Sequence, residues 1–177
     1  MFFSDFCKSL DPVPQGAEVH FVRASSYEGK STESSQKVTL NHIGGEKNLL
    51  EGRHVLQVED IVDTGHTLLK ILRALKDDGA KTVTVAALLD KRCRRDLTCT
   101  LLVDAIQSLP DLLEDTGAME EVRASAKTTE DYLQNYIKYV GFECPNEFVI
   151  GYGMDFDEHY RTLPYVGVLK EQVYNTS

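Results

Sequence analysis

The stretch Val58-Glu-Asp-Ile-Val-Asp-Thr-Gly-His-Thr-Leu68 stands where one hydrophobic periodicity gives way to another. Before it, His54 to Val58 reads as a short buried strand. After it, Leu68, Ile71, Leu72 and Leu75 recur at i, i+3, i+4 and i+7, the stripe of an amphipathic helix. The acidic residues therefore fall at the carboxyl end of a strand, where open parallel sheets bind their ligands. In the turn Asp63-Thr-Gly-His-Thr67, Gly65 lets the backbone come close to a ligand, and the helix behind it offers unpaired N–H groups and the positive end of its dipole. A phosphate fits this turn, with the hydroxyls of Thr64 and Thr67 lining the cradle. Glu59 and Asp60 would repel a phosphate, so they call for another partner, namely ribose hydroxyls met directly or through a divalent cation. Asp63, at the rim of the turn, is placed to take a proton as general base. The plainer reading is an acidic helix start that complements the macrodipole, with Asp63 as a cap.

Outward from this stretch, strands and helices alternate. Phe2, Phe3, Phe6 and Leu10 share one helical face, and Asp11-Pro-Val-Pro14 ends that helix. A strand is expected over Glu18 to Ala24, then a Ser/Gly-rich stretch over 25 to 35, a strand from Lys37 to Leu40 and a turn around Gly44-Gly45. The helix after the acidic turn stops at Gly79, and a strand follows from Thr82 to Leu89. Runs rich in Val, Leu and Ala that are apolar on both faces imply a parallel sheet covered on two sides, an α/β fold.

Composition bounds the function. The 177 residues suit one domain with a sizeable core, and 42% hydrophobic content argues against disorder. A net charge of -9 disfavours general nucleic-acid binding, yet it allows a nucleotide substrate whose phosphates meet backbone N–H groups, a cation and a few placed basic residues. The four cysteines, Cys7, Cys93, Cys99 and Cys144, show no metal-site spacing and read as reduced cytosolic thiols. No apolar run approaches the roughly 18 residues of a membrane span, and Met1-Phe-Phe-Ser-Asp5 lacks the basic start of a signal peptide, so the expected setting is the cytoplasm.

The acidic stretch resembles the phosphoribosyl-pyrophosphate (PRPP) signature of type I phosphoribosyltransferases. Two further stretches narrow the resemblance to the 6-oxopurine branch, the hypoxanthine-guanine enzymes and their xanthine-using relatives. They are Leu88-Leu-Asp-Lys-Arg92 and Gly141-Phe-Glu-Cys-Pro-Asn-Glu-Phe-Val-Ile-Gly-Tyr-Gly-Met-Asp155, the latter followed by His159-Tyr-Arg161 and Leu163-Pro-Tyr-Val-Gly-Val-Leu169. The resemblance implies the family's doubly wound, mostly parallel sheet with helices on both faces. It assigns Glu59 and Asp60 to ribose and metal, and Asp63, Thr64, Gly65, His66 and Thr67 to the 5'-phosphate. Lys91, Phe148 and Val149 fall to the purine, Asp155 to magnesium, Arg161 to pyrophosphate, and Ser26 and Tyr27 to a mobile loop that closes over the site. The roles are chemically apt: a lysine donates to a purine O6 that adenine lacks, and a guanidinium fork suits pyrophosphate. Taken alone, Lys91 would be an ordinary solvated lysine, Phe148 a core residue and the stretch around Ser26 a solvated linker.

The resemblance implies two departures. Met1 to Leu10 is similar to the helix that in the family follows a Leu-Lys-Gly type loop, so the chain is expected to begin after that loop and to lack the family's N-terminal segment. Residues 96 to 138 fill a connection that is far shorter in the family, with helix-like pieces at Leu101 to Leu109 and Glu130 to Ile137. They read as a helical excursion, an oligomerisation element or translated intron sequence. The expected activity is purine salvage: hypoxanthine or guanine (xanthine as alternative base) plus PRPP gives the nucleoside monophosphate and pyrophosphate, with magnesium and in a homo-oligomer. The rival is a catalytically silent, truncated homologue that binds nucleotide, PRPP or a full-length subunit. A regulatory RNA-binding relative fits the acidic charge less well.

Overall fold

The computed structural model describes residues 1–25, 39–42, 49–95 and 129–174. Ser26 and Tyr27, the turn around Gly44-Gly45, the helix expected over Leu101 to Leu109 and most of the block 96 to 138 lie outside the described residues.

The central element is strand β4 (Thr82–Asp90), flanked by β3 (His54–Val62) and β5 (Ile137–Glu143) in parallel register. Val83, Val85, Ala86, Ala87 and Leu89 of β4 are buried, because this strand has a neighbour on each side and apolar residues on both faces. Strand β3, expected as a short buried element ending at Val58, runs on to Val62 and is mostly half-exposed, with Val62 its one buried residue. As an outer strand among the described residues it has a single neighbour, and its extra length carries Glu59 and Asp60 on the strand itself.

Helix α2 (His66–Asp77) follows β3, and Leu68, Leu69, Ile71, Leu72 and Leu75 form its buried stripe. It ends as the sequence predicts, with Gly79 at φ 91° one residue beyond the C-cap Asp78. The same core takes Tyr132, Leu133 and Tyr136, which are completely buried, from and just after helix α3 (Thr129–Gln134). The described end of the 96 to 138 block thus packs into the core. A helix was expected there over Glu130 to Ile137, but it closes at Gln134 and Ile137 opens β5. The Tyr-Val-Gly-Phe run finds hydrogen-bonding partners along β4, and that pairing overrides the helical pattern.

Helix α1 (Phe2–Lys8) stops before Leu10, where the Ser9 hydroxyl donates back to the Asp5 carbonyl at 2.8 Å. Strands β1 (Val22–Ser25) and β2 (Thr39–His42) pair antiparallel. Glu18 to Phe21, expected in the first of these strands, have no strand partner among the described residues; the Glu18 carboxylate accepts from Arg53 at 2.8 Å and lies 3.1 Å from His20. A short antiparallel pair, β6 (Val149–Ile150) and β7 (Gly167–Val168), and helix α4 (Glu171–Tyr174) complete the described fold. No helix among the described residues is long and apolar enough to cross a membrane.

This burial pattern separates two leucines. Leu72→Ala empties a fully buried position and should cost about 2–5 kcal/mol, whereas Leu56→Ala at a 44% exposed position should cost under about 1 kcal/mol; urea unfolding of both variants reads the difference.

Candidate active site

Strand β3 delivers its carboxylates to the point where α2 begins. The cap of α2 is Gly65, at φ 88°, a conformation that glycine adopts without strain. No side chain caps this helix by a hydrogen bond, and its first turn holds no acidic residue. Asp63 is therefore not the helix cap that the plainer reading made it. The contact nearest to a cap is the 3.5 Å approach of the His66 N–H to the Thr64 hydroxyl. The remaining N–H groups of the first turn are free of side-chain acceptors among the described residues, which is the condition an anion needs.

Behind the turn, a charged cluster fixes its shape. Arg95 has a side chain only 1% exposed, and its guanidinium donates to the carbonyls of Val62 (2.7 Å) and Asp63, to the buried carboxylate of Asp90, and to Glu130 Oε2 at 2.8 Å. The Val62 carbonyl also accepts the Lys91 N–H at 2.9 Å. One buried cation thus ties together the end of β3, the end of β4 and helix α3.

The turn opens onto a cavity of about 380 Å³. Asp60 and Asp63 line one wall, Phe148, Val149 and Met154 another, and Lys91 reaches it from the end of β4. Lys91 is 7% exposed and donates Nζ to the Glu147 carbonyl at 2.7 Å, so it is not the solvated lysine that its residue type alone suggests. An ammonium has three donors, and two remain for a ligand. Phe148, 36% exposed, is held edge-on by Phe156 at 5.3 Å and covered at 30° by Tyr174 at 5.3 Å, which makes it a cavity wall instead of core.

The loop after Val149 is wound through left-handed conformations at Tyr152, Asp157, Glu158 and Tyr160, an unusual density for residues with side chains. Gly151 (φ 87°) cannot be replaced there, since a Cβ would lie 2.2 Å from the Tyr165 carbonyl oxygen. The winding brings Asp155 and Arg161 together at the cavity, with Arg161 Nη2 2.9 Å from Asp155 Oδ1 and Nη1 donating to the Gly153 carbonyl at 3.0 Å.

The carboxylates differ in environment. Burial pushes the Glu59 carboxyl up to about 7, against the opposing hydrogen bond from Gln57 and with a further upward push from the charge of Asp60. Asp60 Oδ1 accepts the Ile61 N–H at 2.8 Å. Asp63 Oδ1 is buried and accepts no hydrogen bond, although Arg94 Nε stands 3.5 Å away.

With the geometry established, the relatives decide the family. The sequence profile of the phosphoribosyl transferase domain matches residues 1–107. Hypoxanthine-guanine phosphoribosyltransferase of Streptococcus pneumoniae is 36% identical over 174 residues, 98% of this chain and 73% of that protein. The chain belongs to the phosphoribosyltransferase family, in its hypoxanthine-guanine branch. The Streptococcus thermophilus member is 33% identical over the same shares of the two chains. In three dimensions the hypoxanthine phosphoribosyltransferase of Staphylococcus aureus superposes with a TM-score of 0.61 at 32% identity, over 98% of this chain and 71% of its own. A variant of the Trypanosoma cruzi enzyme, solved with the product IMP, gives a TM-score of 0.62 at 29% identity, over 98% and 63% of the two chains.

The cavity gathers Asp60, Asp63, Lys91, Phe148, Val149, Asp155 and Arg161 of the residues that the sequence singled out. Glu59, beside Asp60, and Thr64, Gly65, His66 and Thr67, which follow Asp63, are not part of its lining. Ile61, Met154 and Arg94 line the cavity without having been singled out, and Asp90, Arg95 and Glu130 shape it from behind. A signal for Asp90 was present: an acid ending an apolar strand needs a cation, and Lys91, Arg92, Arg94 and Arg95 follow at once. The signal for Glu130 was absent, since its partner is 35 positions away.

The Glu59 carboxyl gives a pH-dependent prediction. Its ionised form is disfavoured in the folded chain, so the cost to stability is absent below about pH 4.5, grows as pH rises and is complete above 7. Glu59→Gln should raise unfolding free energy near pH 8 by about 3 kcal/mol and bring no such gain near pH 4, as urea titrations at the two pH values will show.

Proposed function

We propose that this chain transfers the 5-phosphoribosyl group of PRPP to N9 of hypoxanthine or guanine, yielding IMP or GMP and pyrophosphate. One juxtaposition carries the reading: an uncapped helix start follows a strand that bears two carboxylates, Asp60 of which lines the cavity, and the buried Lys91 lines that cavity together with Phe148. The first suits a 5'-phosphate, the second a ribose, and the third a 6-oxopurine.

In the proposed reaction, Asp63, Thr64, Gly65, His66 and Thr67 hold the 5'-phosphate through backbone N–H groups and hydroxyls. Glu59 and Asp60 face the ribose hydroxyls. The base slides between Phe148 and the opposite wall, the backbone of Val149 reads its edge, and Lys91 donates to O6. The bond from C1' to the pyrophosphate oxygen breaks as the bond from C1' to N9 forms, and the positive charge that develops on the ribose is met by the neighbouring carboxylates. Asp63, whose side chain lines the cavity, accepts the proton from N7. Arg161 stands at the cavity to neutralise the leaving group.

The residues fit a magnesium ion held largely by substrate. Among the described residues no three acidic, histidine or cysteine side chains gather as a metal cage. Magnesium characteristically binds one or two carboxylates and completes its shell with water and phosphate oxygens. Glu59 and Asp60 would hold one such ion and Asp155 another, in competition with its present partner Arg161. When bound, the ion supplies positive charge to the pyrophosphate oxygens. The raised Glu59 carboxyl agrees with this role, since a buried acid beside a second acid gains from a cation. Free Cys7, Cys93 and Cys144 suit the cytoplasmic setting, and the expected homo-oligomer belongs to the same proposal.

A magnesium-dependent assay of PRPP with hypoxanthine, guanine, xanthine and adenine tests the reading. Turnover is expected with hypoxanthine and guanine and none with adenine; a folded protein inert towards all four, or one that prefers adenine, contradicts it. Lys91→Ala should weaken binding of the 6-oxopurine by about 1.5–3 kcal/mol, the value of a hydrogen bond from a charged donor, without creating adenine use. Glu59→Gln/Asp60→Asn should weaken GMP binding in calorimetry, and equal binding by parent and variant removes the two carboxylates from the ribose.

A further inference from the structure

We propose that Glu130 is a positioning residue for the phosphate-binding turn, acting through Arg95 from a helix that is itself no part of the cavity wall. The inference deepens the reading above, because the turn it positions is the one assigned to the 5'-phosphate. Glu130 Oε2 accepts Arg95 Nε at 2.8 Å, and its Oε1 accepts Gln134 Nε2 at 2.6 Å, so the carboxylate is fixed at both oxygens. Arg95 in turn holds the carbonyls of Val62 and Asp63, the two residues at which β3 passes into the turn. The same Val62 carbonyl receives the Lys91 N–H, so the clamp sets the phosphate turn and the base-facing lysine against each other.

The geometry leaves Arg95 little freedom to do this unaided. A guanidinium has five N–H donors in one plane, and four of its hydrogen bonds here go to acceptors on three different elements. Asp90 fixes one edge of the fork and is itself shared with Arg92, whose Nε donates to Asp90 Oδ2 at 2.9 Å. Glu130 holds Nε, the nitrogen at the hinge between the fork and the aliphatic chain. Without it, the Nε end of the fork is no longer fixed, and the buried Nε–H loses its acceptor, so the remaining bonds to Val62, Asp63 and Asp90 must readjust. Helix α3 is anchored separately by Tyr132 and Leu133 in the core, so the carboxylate is delivered by a rigid support.

The test compares Glu130→Ala with Leu133→Ala, which takes buried volume out of the core while the buried Tyr132 and Tyr136 still anchor α3 and keep the carboxylate in place, and with Glu130→Gln, which keeps an acceptor for Nε. Three quantities are read: urea midpoint, exchange of the Lys91 and Leu69 amides, which bond to Val62 and Gly65, and GMP affinity by calorimetry. Glu130→Ala should speed exchange of both amides and weaken GMP about tenfold, as misplacement of a site by a fraction of an ångström does. Leu133→Ala should lower the urea midpoint with exchange and affinity within about twofold of the parent, and Glu130→Gln should recover most of what alanine loses. Parental exchange and affinity in Glu130→Ala, or equal losses in Leu133→Ala at matched stability, would overturn the proposal. If the parent binds no GMP while Glu130→Ala still frees the two amides, the positioning stands and the nucleotide reading falls.

Discussion

Arg95 carries its charge almost wholly out of water, and that is tolerable only because every nearby acceptor is turned towards it. Breaking one side of such a buried pair costs about 3–5 kcal/mol, since the partner is left charged and unsolvated. The price sets the geometry of everything in front of it. The last carbonyls of β3, the acid that ends β4 and the carboxylate of α3 must converge on one planar fork, so the turn between β3 and α2 has one position relative to the end of β4. A phosphate site built from backbone N–H groups needs that rigidity, because those groups cannot reach out to a ligand as a long side chain can.

The front of the site places each kind of charge on a different element. Carboxylates stand on the strand, uncapped N–H groups at the helix start, and cations at the end of β4 and in the wound loop. A negatively charged chain can therefore hold a phosphorylated ligand without a basic surface: the attraction comes from oriented dipoles and a few fixed cations in a cavity partly screened from water. Burial raises the Glu59 carboxyl, the charge of Asp60 adds to the rise, and a bound cation would relieve both.

Much of this was legible because it is local. Gly65, the acidic strand end and the stripe from Leu68 to Leu75 sit within one strand-turn-helix unit, and periodicity with turn chemistry is enough to place them. Lys91, Phe148 and Asp155 were singled out through a resemblance; their residue types alone suggested a surface lysine, a core phenylalanine and an unremarked acid. Burial of β3 was misjudged, since an apolar run does not tell whether a strand has one neighbour or two. The helix around Glu130 was expected one turn too long, because the pull of β4 on Ile137 to Phe142 is invisible in a local window. Asp90 and Arg95 lie within one local run of charge, but Glu130 was missed for the same reason: a partner 35 positions away leaves no periodic trace.

The turn clamped by Arg95 is proposed to receive a 5'-phosphate while Lys91 meets the base in the cavity beside it. A crystal structure with GMP tests it most directly. The phosphate is expected within hydrogen-bonding distance, about 3 Å, of the N–H groups of Gly65 to Thr67, with O6 at Lys91 Nζ and the purine against Phe148. A nucleotide bound with its phosphate away from this turn, or with its base outside the cavity between Lys91 and Phe148, would contradict it.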